Sequence, residues 1–203
     1  MRHRFVKAAL LLAALLLASG VVFGLSRWEQ GNLAEVSPGK VYRSRQLDAG
    51  ELAAVIRRFG VKSILNLRGH NQGDRWYQDE ALIADALGVR LYSVALSAHR
   101  DVDSSQVADL LSLLHALPLP ILIHCKSGAD RTGLVSALYL YEVEGTSLEE
   151  AAGQLSLFYL HLPPILGAAS SAMDRTLHRV ARMGDAIDLG SLAIRQEVAG
   201  VRW

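Results

Sequence analysis

The segment that most constrains the fold is an apolar run that ends in a loop of small residues. Leu119–Ile123 is short, apolar and partly β-branched, which is typical of a buried strand. His124–Gly133 follows, and the apolar pattern of Thr132–Tyr141 predicts a helix. The loop therefore lies where a strand turns into the start of a helix. Unpaired backbone N–H groups and the positive end of the helix dipole point into such a turn, which makes it an anion site.

The side chains of this loop suit the transfer of a phosphoryl group. The positive field favours the thiolate of Cys125, the only cysteine of the chain, and a thiolate is a nucleophile. Gly128 allows a positive φ, so that successive N–H groups can point at one oxyanion. Arg131 offers a planar fork for two phosphate oxygens, and the Thr132 hydroxyl can donate a hydrogen bond to the sulfur. The pattern predicts phosphoryl transfer to Cys125, followed by hydrolysis of the phosphocysteine.

Two of these residues also have simpler interpretations. A lone cysteine is often only a small buried apolar residue, but the flanking His, Gly, Arg and Thr favour the nucleophile at Cys125. We expect His124 to hold the loop through a buried hydrogen bond rather than to transfer a proton.

The motif His-Cys-x5-Arg-Thr-Gly at His124–Gly133 resembles the signature of the protein tyrosine and dual-specificity phosphatase superfamily. Upstream, Val41–Ser44 and Val61–Arg68 resemble two strands of its compact bacterial and atypical members. The resemblance covers roughly residues 38–160 and implies a cysteine-dependent phosphatase.

The resemblance also assigns roles to single residues. It makes Cys125 the nucleophile, Arg131 the phosphate clamp and Thr132 an aid to hydrolysis of the intermediate. No cofactor is implied, and no metal is expected, because the histidines and the single thiol lack ligand spacing. The cradle for the phosphate is the backbone of Lys126, Ser127, Gly128, Ala129, Asp130 and Arg131.

A general acid is implied as well, usually an aspartate on a mobile loop upstream of the cysteine. The matching window, residues 96–106, holds Asp101, Asp103 and His99 but no Trp-Pro-Asp sequence. Asp103 precedes a helical apolar pattern and has Gln106 three residues on, which is the signature of a helix cap. We therefore expect Asp101 to be the acid, with Asp103 and then His99 as alternatives.

An apolar leader opens the chain. Basic residues within positions 2–7 precede 18 uncharged residues, Ala8–Leu25, a length between a signal-peptide core and a membrane span. Ala18-Ser19-Gly20 is a weak cleavage site, so residues 1–25 are a signal peptide or an uncleaved membrane anchor, and we favour the anchor. In both cases the positive-inside rule exports the rest, to the periplasm or to the outer face of the inner membrane.

Strands and helices alternate after the leader. This order predicts an α/β fold with a mostly parallel central sheet flanked by helices, behind the hydrophobic leader helix. We expect a linker at residues 26–37, one phosphatase domain at 38–183 and a weakly patterned tail at 184–203. The predicted strands are 40–44, 61–67, 89–95 and 120–124, and the predicted helices are 49–59, 75–87, 104–116, 132–141, 147–159 and 167–183.

Charge and cysteine content exclude some partners. The formal net charge is +1, and the part after the leader has 18 basic against 20 acidic residues with no basic block. This composition does not fit a nucleic-acid-binding protein. A single cysteine cannot form an internal disulfide in an oxidising compartment.

The sequence leaves the substrate open between a phosphorylated protein and a phospholipid or small phosphoester. Protein phosphotyrosine is the first choice and phosphoserine or phosphothreonine the next. Lys126 keeps a phosphoinositide as a competitor, because related phosphatases that accept phosphoinositides often carry lysines there. Two other classes remain: a rhodanese-type sulfurtransferase, which also uses a loop cysteine, and a phosphate-binding pseudo-enzyme, which would usually have lost Cys125 or Arg131.

Overall fold

The fold is organised around a single mixed sheet with helices on both faces. A computed structural model describes residues 2–162 and 171–183, and within them the five strands have the order β1-β2-β5-β3-β4. All neighbouring strands are parallel except β1, which is antiparallel to β2. The predicted α/β fold with a mostly parallel sheet is thus confirmed. The strands are β1 (Ala34–Ser37), β2 (Val41–Ser44), β3 (Ser63–Asn66), β4 (Arg90–Ser93) and β5 (Ile121–His124), and the helices are α1 (Arg2–Glu29), α2 (Ala49–Phe59), α3 (Arg75–Ala86), α4 (Ser104–Ala116), α5 (Asp130–Leu138), α6 (Leu148–Ala152) and α7 (residues 171–183).

Strand β5 is the centre of the sheet and fixes where the site lies. All four of its residues are buried, as expected for a strand of a parallel sheet covered on both faces. In the sheet register its last residue, His124, pairs with Ser44 of β2 and Asn66 of β3. The carboxyl ends of three parallel strands therefore meet at one edge, where ligands bind in open α/β sheets.

Local capping signals set the helix boundaries that the sequence predicts. Asp48 and Glu51 form a reciprocal capping box at the start of α2, and Gly60 ends this helix in the left-handed conformation. Asp103 caps α4 by accepting a hydrogen bond of 2.8 Å from the backbone N–H of Gln106. The predicted bounds of both helices are confirmed.

The predicted helix over residues 147–159 is wrong in its second half. Helix α6 ends at Ala152, and a short 3-10 turn follows at Leu157–Tyr159. The helix stops because the backbone carbonyl and the side chain of Gln154 both turn inward to accept hydrogen bonds from a buried arginine, Arg43. As a result Phe158, which the apolar spacing of a continuous helix would place on its inner face, is 53% exposed.

The segment expected to be a linker, residues 26–37, has regular structure. Helix α1 continues to Glu29, and Ala34–Ser37 adds the antiparallel edge strand β1 to the sheet. Within the described residues, Phe5–Glu29 is the one helix long and apolar enough to cross a membrane, and its most apolar stretch is wholly unburied. The predicted leader helix is therefore present.

The C-terminal helix packs on the core over residues 171–183. Its inner side buries Ala172, Met173, Thr176 and Leu177. Residues 163–170, which include the start of the predicted helix 167–183, and the tail 184–203 lie outside the described residues.

Candidate active site

The loop between β5 and α5 turns sharply from the end of a buried strand into the start of a helix. Cys125 is the first residue after β5 and is only 1% exposed. The chain then turns through Gly128 and enters α5 at Asp130. The predicted position of the loop, between a strand and the start of a helix, is confirmed.

The carbonyl oxygens of the loop bond outward, to the protein around it. Lys126 O accepts a hydrogen bond of 3.2 Å from the Gln46 backbone N–H. Ser127 O accepts one of 3.1 Å from the side-chain amide of Asn32, a residue that is itself fully buried.

Arg43 holds the next two carbonyl groups. Its guanidinium is fully buried and donates hydrogen bonds of 2.7 Å to Gly128 O and 3.4 Å to Ala129 O. The other side of the guanidinium donates to the backbone and side chain of Gln154, and its carbon lies 3.8 Å from the ring centroid of Tyr159. Burial lowers the pKa of Arg43 to about 10, so the side chain stays positively charged at neutral pH.

These bonds determine where the loop N–H groups point. In a trans peptide the C=O group and the N–H of the following residue point in opposite directions. Because the carbonyls of residues 126–129 are fixed outward, the N–H groups of residues 127–130 point to the inner side of the loop. These N–H groups are therefore already oriented to donate hydrogen bonds to an oxyanion.

Gly128 is required at its position for two independent reasons. Its φ is +70°, a conformation that residues with a side chain rarely adopt. A Cβ built there would lie 2.6 Å from backbone atoms of Ser44 and Arg45. Any larger residue would push the loop away from the end of β2.

Arg131 lies in the first turn of α5 and reaches across the end of the sheet. Its Nη1 donates hydrogen bonds of 3.3 Å to the carbonyl oxygens of Leu67 and Leu96. Its buried Nε has no hydrogen-bond partner within the described residues. One edge of the fork is thus fixed by the protein, while Nε keeps a donor for a ligand.

A second arginine, Arg68, follows β3 at the same edge. Its Nη1 donates to the side-chain oxygen of Gln46 at 3.2 Å, and its guanidinium carbon lies 3.4 Å from the ring centroid of Trp76. Burial, and after it the positive charge of Arg131, lower the pKa of Arg68. No pattern in the sequence marks Arg68 as part of the site.

Behind the loop, His124 contacts a buried carboxylate. Its Nε2 lies 2.5 Å from Oε1 of Glu80 on α3, and both side chains are 2% exposed. The other oxygen of Glu80 accepts a hydrogen bond from Asn66 at the end of β3. His124 is buried as expected, but neither ring nitrogen has a hydrogen bond of standard geometry within the described residues, so its role in holding the loop stays a prediction. Glu80 was missed, because a single glutamate in an amphipathic helix gives no sequence signal.

The Thr132 hydroxyl is buried at the start of α5. It has no hydrogen-bond partner among residues 2–162 and 171–183. Lys126, in contrast, is exposed at the opposite side of the loop. The loop thus carries a buried, unpaired donor next to its arginine and an exposed cation at Lys126.

Asp130 connects the loop to the C-terminal helix through His161. The fully buried imidazole places Nδ1 2.7 Å from Asp130 and Nε2 3.0 Å from Asp174 of α7. Burial lowers the pKa of His161, but the hydrogen bonds and charges of the two carboxylates outweigh burial and raise it overall. Within the part of the chain that the structure describes, no group of three or more His, Cys, Asp or Glu residues has an arrangement that could hold a metal ion.

Of the three candidate acids, Asp101 and Asp103 line one cavity, and His99 does not. This cavity, of about 300 Å³, lies next to the Leu96 carbonyl that binds Arg131, and it is lined by residues 95–97, 100–103 and 106. Asp103 accepts hydrogen bonds from Ser105 and Gln106, which lower the pKa of its carboxyl group. The expected capping role of Asp103 is confirmed.

Asp101 is held by the C-terminal helix. Its carboxylate accepts hydrogen bonds from Arg175, the shortest being 2.6 Å, and these bonds lower the pKa of Asp101. All its hydrogen bonds in the described structure go to Arg175. The structure therefore brings residues 124–132 together, while Asp101 is engaged outside the loop.

The same helix binds the neighbouring backbone of residue 102. The Val102 N–H donates to the Thr176 hydroxyl at 3.1 Å, and Arg179 donates to the Val102 carbonyl oxygen. His161 joins Asp174 of α7 to Asp130 in the loop between β5 and α5, here called the phosphate loop. Helix α7 therefore links the phosphate loop to the loop that carries the candidate acids. These contacts were not predicted, because the sequence gives no pairing between segments some 70 residues apart.

Comparison with known proteins agrees with this architecture. The model of the tyrosine phosphatase family matches residues 24–151. The chain therefore belongs to the tyrosine phosphatase family, as the motif at His124–Gly133 predicts.

One relative is known both in sequence and in structure. The dual specificity protein phosphatase TpbA, from two strains of Pseudomonas aeruginosa, is 32% identical over 126 residues, which is 61% of this chain and 53% of TpbA. The chain thus spans about half the length of the curated relatives it matches. A crystal structure of a cysteine-to-serine variant of TpbA in complex with phosphotyrosine is similar with a TM-score of 0.56 at 26% identity, over 73% of this chain and 83% of that one.

A more distant structure shares the fold alone. The core catalytic domain of the PP-IP phosphatase Siw14 from S. cerevisiae, crystallised with citrate, has a TM-score of 0.59 at 21% identity. It covers 85% of this chain and 96% of that domain.

The buried imidazole of His161 makes stability depend on pH. Because its pKa is raised in the folded state above the ordinary 6.5, its stabilising effect is complete below that value and is lost as the pH rises through the folded value. We expect His161→Gln to lower the free energy of unfolding by about 2–3 kcal/mol in mild acid, and by clearly less in mild alkali. Urea unfolding at both pH values measures this difference.

His178→Gln is the matched control, because His178 lies exposed on the same helix. It should change the free energy of unfolding little at either pH. If His161→Gln lowered the free energy of unfolding equally at both pH values, a protonated His161 between Asp130 and Asp174 would be contradicted.

Proposed function

We propose that the protein is a cysteine-dependent phosphatase that hydrolyses phosphomonoesters through a phosphocysteine intermediate. The observation that carries this proposal is the set of hydrogen bonds that hold the carbonyls of residues 126–129 outward, between Cys125 and Arg131. The N–H groups of that segment then point inward, which suits the three equatorial oxygens of a transferring phosphoryl group.

The proposed reaction has two displacements at phosphorus. In the first, the sulfur of Cys125 attacks, the P–O bond to the leaving group breaks, and the leaving oxygen takes a proton from a general acid. In the second, water attacks the phosphocysteine and the thiolate departs, assisted by a hydrogen bond from the Thr132 hydroxyl. Arg131 holds two oxygens with its fork throughout, and the planar fork stabilises the transition state better than a point charge.

We retain Asp101 as the proposed general acid. It lines the cavity beside Arg131, and its carboxylate is not committed to capping a helix, unlike that of Asp103. In the observed arrangement Arg175 holds Asp101 ionised, so this ion pair has to loosen before the carboxyl group can donate a proton.

Protein phosphotyrosine is the proposed substrate, with phosphoserine and phosphothreonine next. Support comes from the structure of the relative TpbA, which contains phosphotyrosine. A phosphorylated lipid is the second candidate. The link between the loop and α1, the proposed membrane anchor, favours a lipid, because it would hold the loop near a bilayer. Arg27 at the end of α1 donates to Asn32, and Asn32 donates to the loop carbonyl of Ser127.

We further propose that the catalytic part is exported, either into the periplasm or anchored to the inner membrane by α1. The most apolar stretch of α1 is unburied within the described chain, apart from contacts near the end of the helix such as that of Phe23 with Phe158, and a bilayer would cover it. The phosphatase domain that we propose runs to residue 183 and includes β1, since this strand completes the sheet.

Replacement of the nucleophile tests the covalent route. Cys125→Ser should lower turnover of p-nitrophenyl phosphate by about 10³-fold or more while tungstate binding, measured by calorimetry, survives. Arg131→Lys should lower kcat/KM by about 10²-fold, because an ammonium group cannot form the bidentate contact. Retained turnover in Cys125→Ser would contradict the proposal. Sulfur transfer from thiosulfate by the unmodified protein, without phosphate release, would identify a sulfurtransferase instead.

Asp101→Asn and Asp103→Asn form a matched pair for the general acid. Asparagine caps a helix nearly as well as aspartate, so Asp103→Asn keeps the start of α4 and should change kcat little. Asp101→Asn should lower kcat on alkyl phosphates by about 10²-fold and abolish the fall in activity on the alkaline side of the pH profile. Arg175→Gln should shift that fall to higher pH, because it removes the contact that lowers the pKa of Asp101. The reverse pattern in the pair would assign the acid to Asp103.

Fractionation of the full chain tests the location. We expect the protein to remain in the membrane pellet after a high-salt wash. Protease added outside the inner membrane should cleave the catalytic part. Leu12→Arg with Leu16→Arg should abolish membrane insertion, since each charge at the centre of a span costs about 3 kcal/mol. A salt-resistant protein that protease reaches only from the cytoplasm would contradict the proposed orientation.

A further inference from the structure

Arg68 is fixed at the mouth of the phosphate loop before any ligand binds. Its backbone N–H donates to the side chain of Asn66 at 2.8 Å, and its backbone pairs with Ala95 of the opposite loop. The following glycine, Gly69, has a φ of +83° and leaves no room for a Cβ, which would lie 2.8 Å from the Ala95 side chain. The segment is therefore closely fitted against its neighbour.

The contacts of its guanidinium orient Arg68 without neutralising it. One edge donates to the neutral amide of Gln46, and one face stacks on Trp76. Asp74 is close enough to act on the charge of Arg68, but its carboxylate accepts a hydrogen bond of 2.8 Å from the indole of Trp76.

Arg131, which lies beside Arg68, is likewise oriented by contacts that do not neutralise its charge. Its hydrogen bonds go to two backbone carbonyl oxygens, and one of these belongs to Leu67, the residue before Arg68. Neither arginine has an ion pair in the described part of the chain. By contrast, Arg45 is paired with Glu51, and Arg175 with Asp101.

Arg68 and Arg131 repel each other, and neither forms an ion pair in the described chain, although the charges of Asp74 and Glu80 act on Arg68 from further away. The phosphoryl group that enters the loop takes the fork of Arg131. The charge of Arg68 is then left at the rim of the site, oriented by Trp76 and unpaired. A second anionic group on the same substrate is what would pair with it.

We infer that Arg68, supported by Trp76, forms a second anion subsite, so that the preferred substrates are phosphomonoesters with a further phosphate or carboxylate near the scissile group. This inference rests on the proposed function, because it takes the loop of Cys125 as the reacting centre. It gives Arg68 a role in specificity, distinct from the role of Arg131.

Three aryl phosphates with different para substituents test the subsite. p-Nitrophenyl phosphate has no second anion, 4-carboxyphenyl phosphate has a carboxylate, and hydroquinone bisphosphate has a second phosphate. The ratio of kcat/KM between the unmodified protein and Arg68→Gln is compared across them, because leaving-group effects cancel in that ratio. We expect a loss of about 10–30-fold for the bisphosphate and of about threefold or less for p-nitrophenyl phosphate, carried mainly by KM. The carboxylate arm shows which anion the subsite prefers.

Two further variants sharpen the test. Arg68→Lys keeps the charge without the fork and should recover only part of the loss on the bisphosphate. Arg75→Gln is the control, because Arg75 lies next to Trp76 in sequence but its side chain is 92% exposed. It should leave all three ratios unchanged. Equal losses of Arg68→Gln on all three substrates, or none on any, would overturn the inference.

A binding measurement separates this inference from the proposed function. In the Cys125→Ser background, calorimetry with inorganic pyrophosphate and with phosphate needs no turnover. Pyrophosphate should bind more tightly than phosphate, and Arg68→Gln should remove most of that advantage. Absence of the advantage would overturn the subsite even in an active phosphatase. An advantage without hydrolysis of any phosphomonoester would overturn the proposed function alone.

Discussion

The buried guanidinium of Arg43 is the interaction on which the candidate site depends. It binds two carbonyl groups of the phosphate loop on one side and Gln154 on the other, and the Tyr159 ring covers it. A charge taken out of water is costly unless its donors are paired, and here both terminal nitrogens of Arg43 donate to carbonyl oxygens, while Nε has no hydrogen-bond partner within the described residues. The result is a loop whose amides already point inward, so little reorganisation is needed when an anion arrives.

The support around the loop comes from widely separated parts of the chain. Asn32, from the turn before β1, holds the Ser127 carbonyl, and Glu80, from α3, contacts His124. His161 joins Asp130 to the last helix. The candidate residues of the loop, from Cys125 to Thr132, are contiguous in sequence, but the residues that orient them are gathered by the sheet topology. Every one of these contacts brings a side chain to the carboxyl edge of the sheet.

This division explains what the sequence could predict. The loop at His124–Gly133, the parallel sheet and the cap at Asp103 depend on local patterns, and they agree with the structure. The ion pair of Asp101 with Arg175 and the bridge of His161 depend on long-range contacts, which leave no local pattern. Arg43 lies in a segment that resembles a strand of the family, yet nothing in a short strand shows that one charged residue is fully buried.

The error over residues 147–159 has the same origin. The apolar spacing there fits a helix, but the helix ends early because the Gln154 carbonyl oxygen accepts a hydrogen bond from Arg43. Local preference was overridden by a buried charge that needed an acceptor. The exposed position of Phe158 follows directly, because the chain turns before that ring can face the core.

Phe158 contacts the C-terminal end of α1, so cleavage of the leader further upstream would leave the support of the loop in place. The Phe158 ring lies 6.0 Å from that of Phe23 and 4.7 Å from the Arg27 guanidinium, which in turn donates to Asn32. Proteolytic processing near Ala18-Ser19-Gly20 would leave residues 21–29 attached, and with them each of these contacts. A secreted form and a tethered form of the chain would then have identical catalytic chemistry and differ only in how far the enzyme can diffuse from the bilayer.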